Sequence, residues 1–312
     1  KRKKLNLIKN LKQKILQQKL ISICIFFIFS IYIVGIFAPI IATHDYNTTD
    51  LYNTQSSPSR ENLLGTDKLG RDIFSRLVWG IQTTVIITFS TLITGTLFLG
   101  VSMGLIGGYF RGKIDILIMR LGEVVSSFPE IFLIILLAAT IRPKIVELIY
   151  RLEDKLNISG LVNSGIIDYF VVGIALLPLS WFGTMRLIRG QVLLVRKLEY
   201  IQASQAMGTS NFRIIFFHVL PNVISPVIVS ASFGIGAIAL SEVILSFFGI
   251  GVQPPKPSLG VIINDVTSRG STSVSVLRNH PEQLLPPIII IWLLILSWNI
   301  IGDYINEKIN PR

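Results

Sequence analysis

Six long apolar runs decide what this chain can fold into. They lie near residues 21–41, 81–107, 116–141, 166–188, 222–250 and 284–305, joined by segments too short for a separate soluble domain. Wound at 1.5 Å per residue, each run is long enough to cross a hydrocarbon core of roughly 30 Å. A mean hydropathy of +0.63, with 51% hydrophobic and 15% charged residues, is far from that of a soluble globular domain. The expectation is an all-α, polytopic membrane protein whose six transmembrane helices form one embedded bundle. Its parts are a basic N-terminal segment (1–20), a first transmembrane helix (21–41), an extracytoplasmic segment (42–80), a five-helix core (81–305) interrupted by a polar loop (189–220), and a short tail (306–312). A basic start before an apolar run also suggests a signal peptide. This run is longer than an h-region of about 7–15 residues and no A-x-A site follows it, so residues 21–41 are read as an uncleaved helix.

The net charge of +11 is placed in a way that argues against a nucleic-acid partner. Eight Lys or Arg residues and no acidic residue occupy the first 19 positions. Others gather at Arg111, Lys113 and Arg120, and at Arg186, Arg189, Arg196, Lys197 and Arg213. Segments 42–76, 142–165 and 251–283 carry nearly matched signs. The positive-inside bias puts both termini, the 108–115 turn and the 189–220 loop in the cytoplasm of a multi-pass protein in a lipid bilayer.

Catalytic chemistry finds no footing. His44, His218 and His280 are scattered, and the lone Cys24 allows neither a disulfide within the chain nor a metal-ligand spacing, so no catalytic or metal residue is assigned. Gly107, Gly112 and Lys113 fit G-x-x-x-x-G-K, yet Ile114 stands where a phosphate loop needs Ser or Thr, and the match follows a membrane helix rather than a strand. The chain is expected to hold no cofactor of its own.

Between the apolar runs lies EYIQASQAMGTSNFRIIFFHVLP, residues 199–221, polar and punctuated by Gly and Pro. Leu194, Leu198, Ile201 and Gln205 fall on one side of a helix expected over Gln191–Ala206. Gly208 suits a left-handed cap, Ser210 or Asn211 can cap a second helix with an apolar face of Ile214, Ile215 and Phe217, and Pro221 is expected to end it. Ala203, Ser204 and Ala206 keep one surface small. An interfacial amphipathic helix lying on headgroups would use Arg196 and Lys197 equally well.

The segment resembles the E-A-A-x-x-x-G loop of ATP-binding-cassette importer permeases, with Gln202, Ala203, Ser204 and Gly208 at the pattern positions, Glu199 ahead of them, and Leu220 and Pro221 at the end. Gln202 replaces the pattern's Glu and Ser204 its second Ala. The resemblance reaches further: LLGTDKLGRDIFSR (63–76), LSFFGIGVQPPKPSLG (245–260) and the tail GDYINEKINPR are similar to segments of the C-type permease subunit of bacterial oligopeptide and dipeptide importers, over roughly residues 60–312. Nickel importers share these motifs. What the resemblance implies is a type I importer permease fold in the bacterial cytoplasmic (inner) membrane. It also implies a homologous second permease, two ATP-binding subunits that hold ATP and Mg, and an extracytoplasmic peptide-binding protein. The loop would dock in a cleft of an ATP-binding subunit. The alternatives are the same architecture carrying nickel or another small solute, or a self-sufficient secondary transporter or channel, although no internal repeat relates residues 21–141 to 166–305.

Other residues carry narrower expectations. Gly100, Gly104 and Gly108 recur every four residues, as close helix packing requires, either inside this bundle or against a second permease. Pro129 and Pro178 are expected to kink spans three and four. Arg120 and Glu123 are spaced to pair. Glu130 is the candidate for the translocation path, and Glu242 for a tie between span five and a neighbour. Asp67, Lys68, Arg71 and Asp72 stand at near-helical spacing, as a latch over the second span or a gate near the binding protein. The charged stretch 142–165 reads as an extracytoplasmic elaboration.

Overall fold

The computed structural model describes residues 2–157, 160, 165–267 and 273–309, and only the backbone of 2–17 and 273–275. Most of the end of the 142–165 stretch and the last three residues of the tail lie outside the described residues. A helix satisfies its own N–H and C=O groups without water, so apolar runs in a bilayer become helices. Among the described residues the only bridge between extended segments joins Thr66 and Asp72.

Helix α1 (Arg2–Ile36) breaks at Phe37 before the single turn α2 (Ala38–Ile41). Helix α3 (Ile73–Thr91) begins well before residue 81, because the Asp72 carboxylate accepts the Ser75 N–H at 2.8 Å and caps it. It continues through a π-helical stretch, Leu92–Val101, into α4 (Ser102–Phe110), one apolar span of 38 residues.

The third apolar run is not one rod. Helices α5 (Gly112–Ser126) and α6 (Glu130–Leu156) meet at 94°. Pro129, expected inside a span, stands at the N-cap of α6 in the break itself. Its ring disfavours helix at the residue before it and it has no N–H to donate, so the chain turns there instead of bending gently. Residues 142–156, read from sequence as loop, prolong α6.

The rest is α7 (Ile166–Val195, with Pro178 inside), α8 (Glu199–Ala206), α9 (Asn211–Ile214), a π-helical stretch (Ile215–Val219), α10 (Leu220–Phe247), α11 (Leu259–Thr267), α12 (Ser273–Asn279) and α13 (Pro281–Ile309). Five helical segments are long and apolar enough to cross a membrane, and the bent α5–α6 pair makes six if it counts as one.

Helix α7 is central, touching α3, α4, α5, α6 and α10, while α13 closes the far side against α1 and α10. One apolar cluster joins Val171, Val172 and Ala175 of α7 to Ile134 and Ala138 of α6 and Ile235 and Ile238 of α10. A second joins Ile31 of α1, Leu77 and Ile81 of α3, Leu259 of α11 and Leu294 of α13. Large apolar side chains on the outside, such as Phe26, Phe29, Phe132 and Trp292, suit a lipid surface.

Polar groups inside the bundle are held by partners. Glu242 is fully buried and accepts hydrogen bonds from Thr84 Oγ1 at 2.9 Å and Ser246 Oγ at 2.8 Å, joining α10 to α3. That is the tie the sequence suggested. Ser246 Oγ also accepts the Val252 N–H at 3.2 Å, fixing the loop after α10. At the other end of α7, Asp168 pairs with Arg142 of α6 and accepts the Gln253 N–H at 3.0 Å.

Candidate functional site

The polar loop folds as helix, turn, helix, but not at the expected boundaries. Helix α7 runs on to Val195, and Arg196–Leu198 form a break before α8, so Gln191–Ala206 is not one helix. The reason is burial. Ile201 is fully buried while Leu194 is 62% exposed, so the two cannot share an inward face.

Gly208 takes a left-handed φ of +78°. Its N–H donates to the Gln205 carbonyl at 3.0 Å and the Thr209 N–H to that of Ser204 at 3.1 Å, closing α8. Ser210 occupies the cap position of α9, yet its side chain makes no cap bond, and the Asn211 side chain turns elsewhere. Pro221 does not end the second helix. α9, the π-helical stretch and α10 form one segment from Asn211 to Phe247. Pro221 sits in the first turn of α10, directly after the wide π turns, where a missing N–H costs least.

Inside and outside are now distinct. Ser204 is buried, its hydroxyl donating to the Tyr200 carbonyl at 2.9 Å, so it is not part of the small outer surface. That surface consists of Glu199, Gln202, Ala203, Ala206 and Gly208, with Met207 projecting at the turn, 78% exposed. Ile214 and Ile215 are buried but Phe217 faces outward. Leu220 is half-buried and packs against the apolar cluster that holds Ile201 and Ile214, and Pro221 is exposed.

The loop is seated on the ends of α4 and α7. Ile201, Ile214 and Ile215 join Leu105, Tyr109, Ile188 and Val192 in one apolar cluster. Beside it Arg189 of α7 forms a two-pronged pair with Asp115 of α5, its Nη2 2.7 Å from Oδ2. Asp115 lies 74 residues from Arg189, so no local spacing could have shown the pair. The expected Arg120–Glu123 pair is present at 3.1 Å, with both side chains exposed.

Gly100, Gly104 and Gly108 face α7. A Cβ at Gly104 would stand 2.8 Å from Ile188 Cβ and 2.9 Å from the Met185 carbonyl oxygen. One at Gly108 would stand 2.7 Å from Val192 Cβ. The stripe thus allows two backbones of this chain to meet. Gly104→Leu should force α4 from α7 at a cost of about 1–3 kcal/mol or more. Size-exclusion chromatography in detergent should show loss of the monodisperse species, while Gly190→Ala, with open space around its Cβ, should not change it. An unaltered Gly104→Leu profile would refute the close-packing account.

Glu130, first residue of α6 at the 94° corner, lines a cavity of about 190 Å³ with Thr96, Ser180, Thr184, Ser230 and Ser241. Thr184 and Ser230 hydroxyls lie 2.7 Å apart across α7 and α10. In the motif 63–76, residues 63–72 form a tight loop and Ile73–Arg76 open α3, and the charges of the two parts form a network. Arg71 contacts Asp67 at 2.7 Å and Asp265 of α11 at 3.0 Å, while Arg76 reaches Asp265 at 2.9 Å. Among the described residues, no group of three or more His, Cys, Asp or Glu could hold a metal ion.

Residues 97–312 match the family described as binding-protein-dependent transport system inner membrane component. The chain is 34% identical over 296 residues to the dipeptide transport system permease protein DppC of Alkalihalophilus pseudofirmus, covering 95% of this chain and 87% of that one. It is 29% identical to the oligopeptide transport system permease protein OppC of Bacillus subtilis, over 100% and 92% of the two. With the glutathione transport system permease protein GsiD of Pectobacterium atrosepticum it shares 31% identity over 85% and 78%. The match takes in α4 to α13 with the seated loop, and the chain belongs to the family of inner membrane components of binding-protein-dependent transport systems.

Proposed function

We propose that this chain is a permease subunit of an ATP-driven importer of short peptides, and that residues 199–214 are its contact with an ATP-binding subunit. The observation that carries the reading is the seated loop. Its inner face is fixed to the ends of α4 and α7, and its turn presents the small Ala203, Ala206 and Gly208 with the flexible apolar Met207 projecting, flanked by the exposed rings of Tyr200 and Phe212. A groove closing over that tip would push on α4 and α7 together. Two long helices moved from one end are the lever an alternating-access cycle requires. The relatives named for dipeptide, oligopeptide and glutathione transport support a peptide cargo over nickel.

The remaining parts follow. The basic residues around Arg111, Lys113, Arg196 and Arg213 support a cytoplasmic loop and cytoplasmic termini. A second, homologous permease would complete the path, two ATP-binding subunits would supply energy with ATP and Mg, and an extracytoplasmic binding protein would deliver peptide. Glu130 and the hydroxyls beside it would line this chain's share of the path.

The test is mass spectrometry of what co-purifies with the tagged chain from its native membrane in mild detergent. The expected result is a second permease with ATP-binding subunits, lost when residues 199–214 are replaced by a flexible linker. Recovery of this chain alone as a stable homo-oligomer would overturn the reading in favour of a channel or secondary transporter.

A further inference from the structure

Tyr109 is the last residue but one of α4, buried to 3% exposure, and its phenol stands between the two halves of the seated loop. The hydroxyl donates to Asn211 Oδ1 of α9 at 2.9 Å and accepts from Gln205 Nε2 of α8 at 3.1 Å. The Arg196 guanidinium, at the break between α7 and α8, lies 5.5 Å from the centre of the same ring. One side chain of the second span therefore meets all three pieces of the loop. The apolar seat of Ile201 and Ile214 gives adhesion without direction, since dispersion and hydrophobic contact tolerate sliding. The two hydrogen bonds are directional and meet at the buried phenol, so they fix the rotation of α8 and α9 about α4.

We propose that Tyr109 is a positioning residue for energy coupling: its hydroxyl makes α8 and α9 move with α4 as one body, so a push on the loop tip reaches the second span. The inference rests on the importer reading, and its first readout does not. Tyr109→Phe keeps the ring, the cation contact and the apolar seat, and removes only the hydroxyl. Amide hydrogen exchange of the wild-type and Tyr109→Phe chains is compared over residues 199–214, with 166–188 of α7 as internal reference. Loss of the two part-buried hydrogen bonds should speed exchange in the loop by about five- to tenfold and leave the reference unchanged.

The second readout uses the importer complex in proteoliposomes with saturating loaded binding protein. Substrate imported per ATP hydrolysed should fall several-fold in Tyr109→Phe while ATP hydrolysis continues. Gln205→Leu, which leaves the phenol in place, should fall in the same direction by less. A merely structural role would lower the amount of complex and leave that ratio alone. Unchanged loop exchange, or faster exchange with an unchanged import ratio, overturns the role of Tyr109. Failure to recover any ATP-binding subunit with the wild-type chain overturns the importer reading itself, whatever the exchange shows.

Discussion

Gly208→Val should reduce ATP-driven uptake by about tenfold or more while the protein still inserts and folds. The expectation has two parts that can be separated. Gly208 has a φ of +78°, where a side chain meets its own backbone and costs roughly 1–2 kcal/mol, more for a β-branched residue. That is enough to move most loops out of the closed turn. Nothing in this chain lies within 4 Å of the place a Cβ would occupy, so the bundle itself loses nothing. The strain falls on the turn, and any partner closing over it meets two additional methyl groups. Membrane abundance and detergent stability should therefore match wild type, ATP hydrolysis should continue, and uptake should fail. Gly208→Asn is the informative control, because Asn tolerates the left-handed region, and it should retain much of the activity. Normal uptake by Gly208→Val would mean that residues 199–214 are not the contact through which energy enters.

The turn was legible because Gly208 carries a local signal, a single glycine between a polar helix and an apolar one. The spans were legible for the same reason, since length and hydropathy belong to each run alone. Long-range pairings carried no such signal. Tyr109 meets Gln205 and Asn211 across about a hundred residues, and Asp115 meets Arg189 across 74. Composition offers no reason to join them. The Gly stripe showed that a close approach exists but not to which helix, a question settled only by Ile188 and Val192 of α7.

Proline misled in both directions. Pro129 breaks a run that hydropathy reads as continuous, since mean hydropathy is blind to the direction of the axis. Pro221 lies in a segment it was expected to end, because it occupies the first turn of α10 directly after the π turns, where a missing N–H costs least. Residues 67–72 misled through charge spacing, which looked helical while Gly65 and Gly70, both with positive φ, fold them into a loop.

That loop is where the second large effect is expected. Arg71 is 6% exposed and bridges Asp67 to Asp265 of α11, while Asp67 also accepts the backbone N–H groups of Leu69 and Arg71 at 2.8 and 3.0 Å. Arg71→Leu would take from the buried Asp67 and the partly buried Asp265 the guanidinium they share. Removing one member of a buried charge network commonly costs about 3–5 kcal/mol, because the partners stay desolvated. The midpoint of thermal unfolding in detergent should fall by roughly 5–10 °C. Arg71→Lys should recover little, as an ammonium cannot reach two carboxylates with the planar fork of a guanidinium. Arg120→Ala, which breaks an exposed pair, should cost at most about 0.5 kcal/mol. Arg71→Leu also separates the two roles open to the motif. As a latch holding the start of α3 to α11, it should reduce the amount of folded permease and leave uptake per folded molecule near wild type. As a gate, it should alter uptake per folded molecule, because a gate is a contact that must break in every cycle. The network joins backbone-capped Asp67 to two arginines and an acid from a distant helix, and a contact so tightly shared is built to stay closed. The latch is the expected result, and normal stability with lost uptake would reverse it.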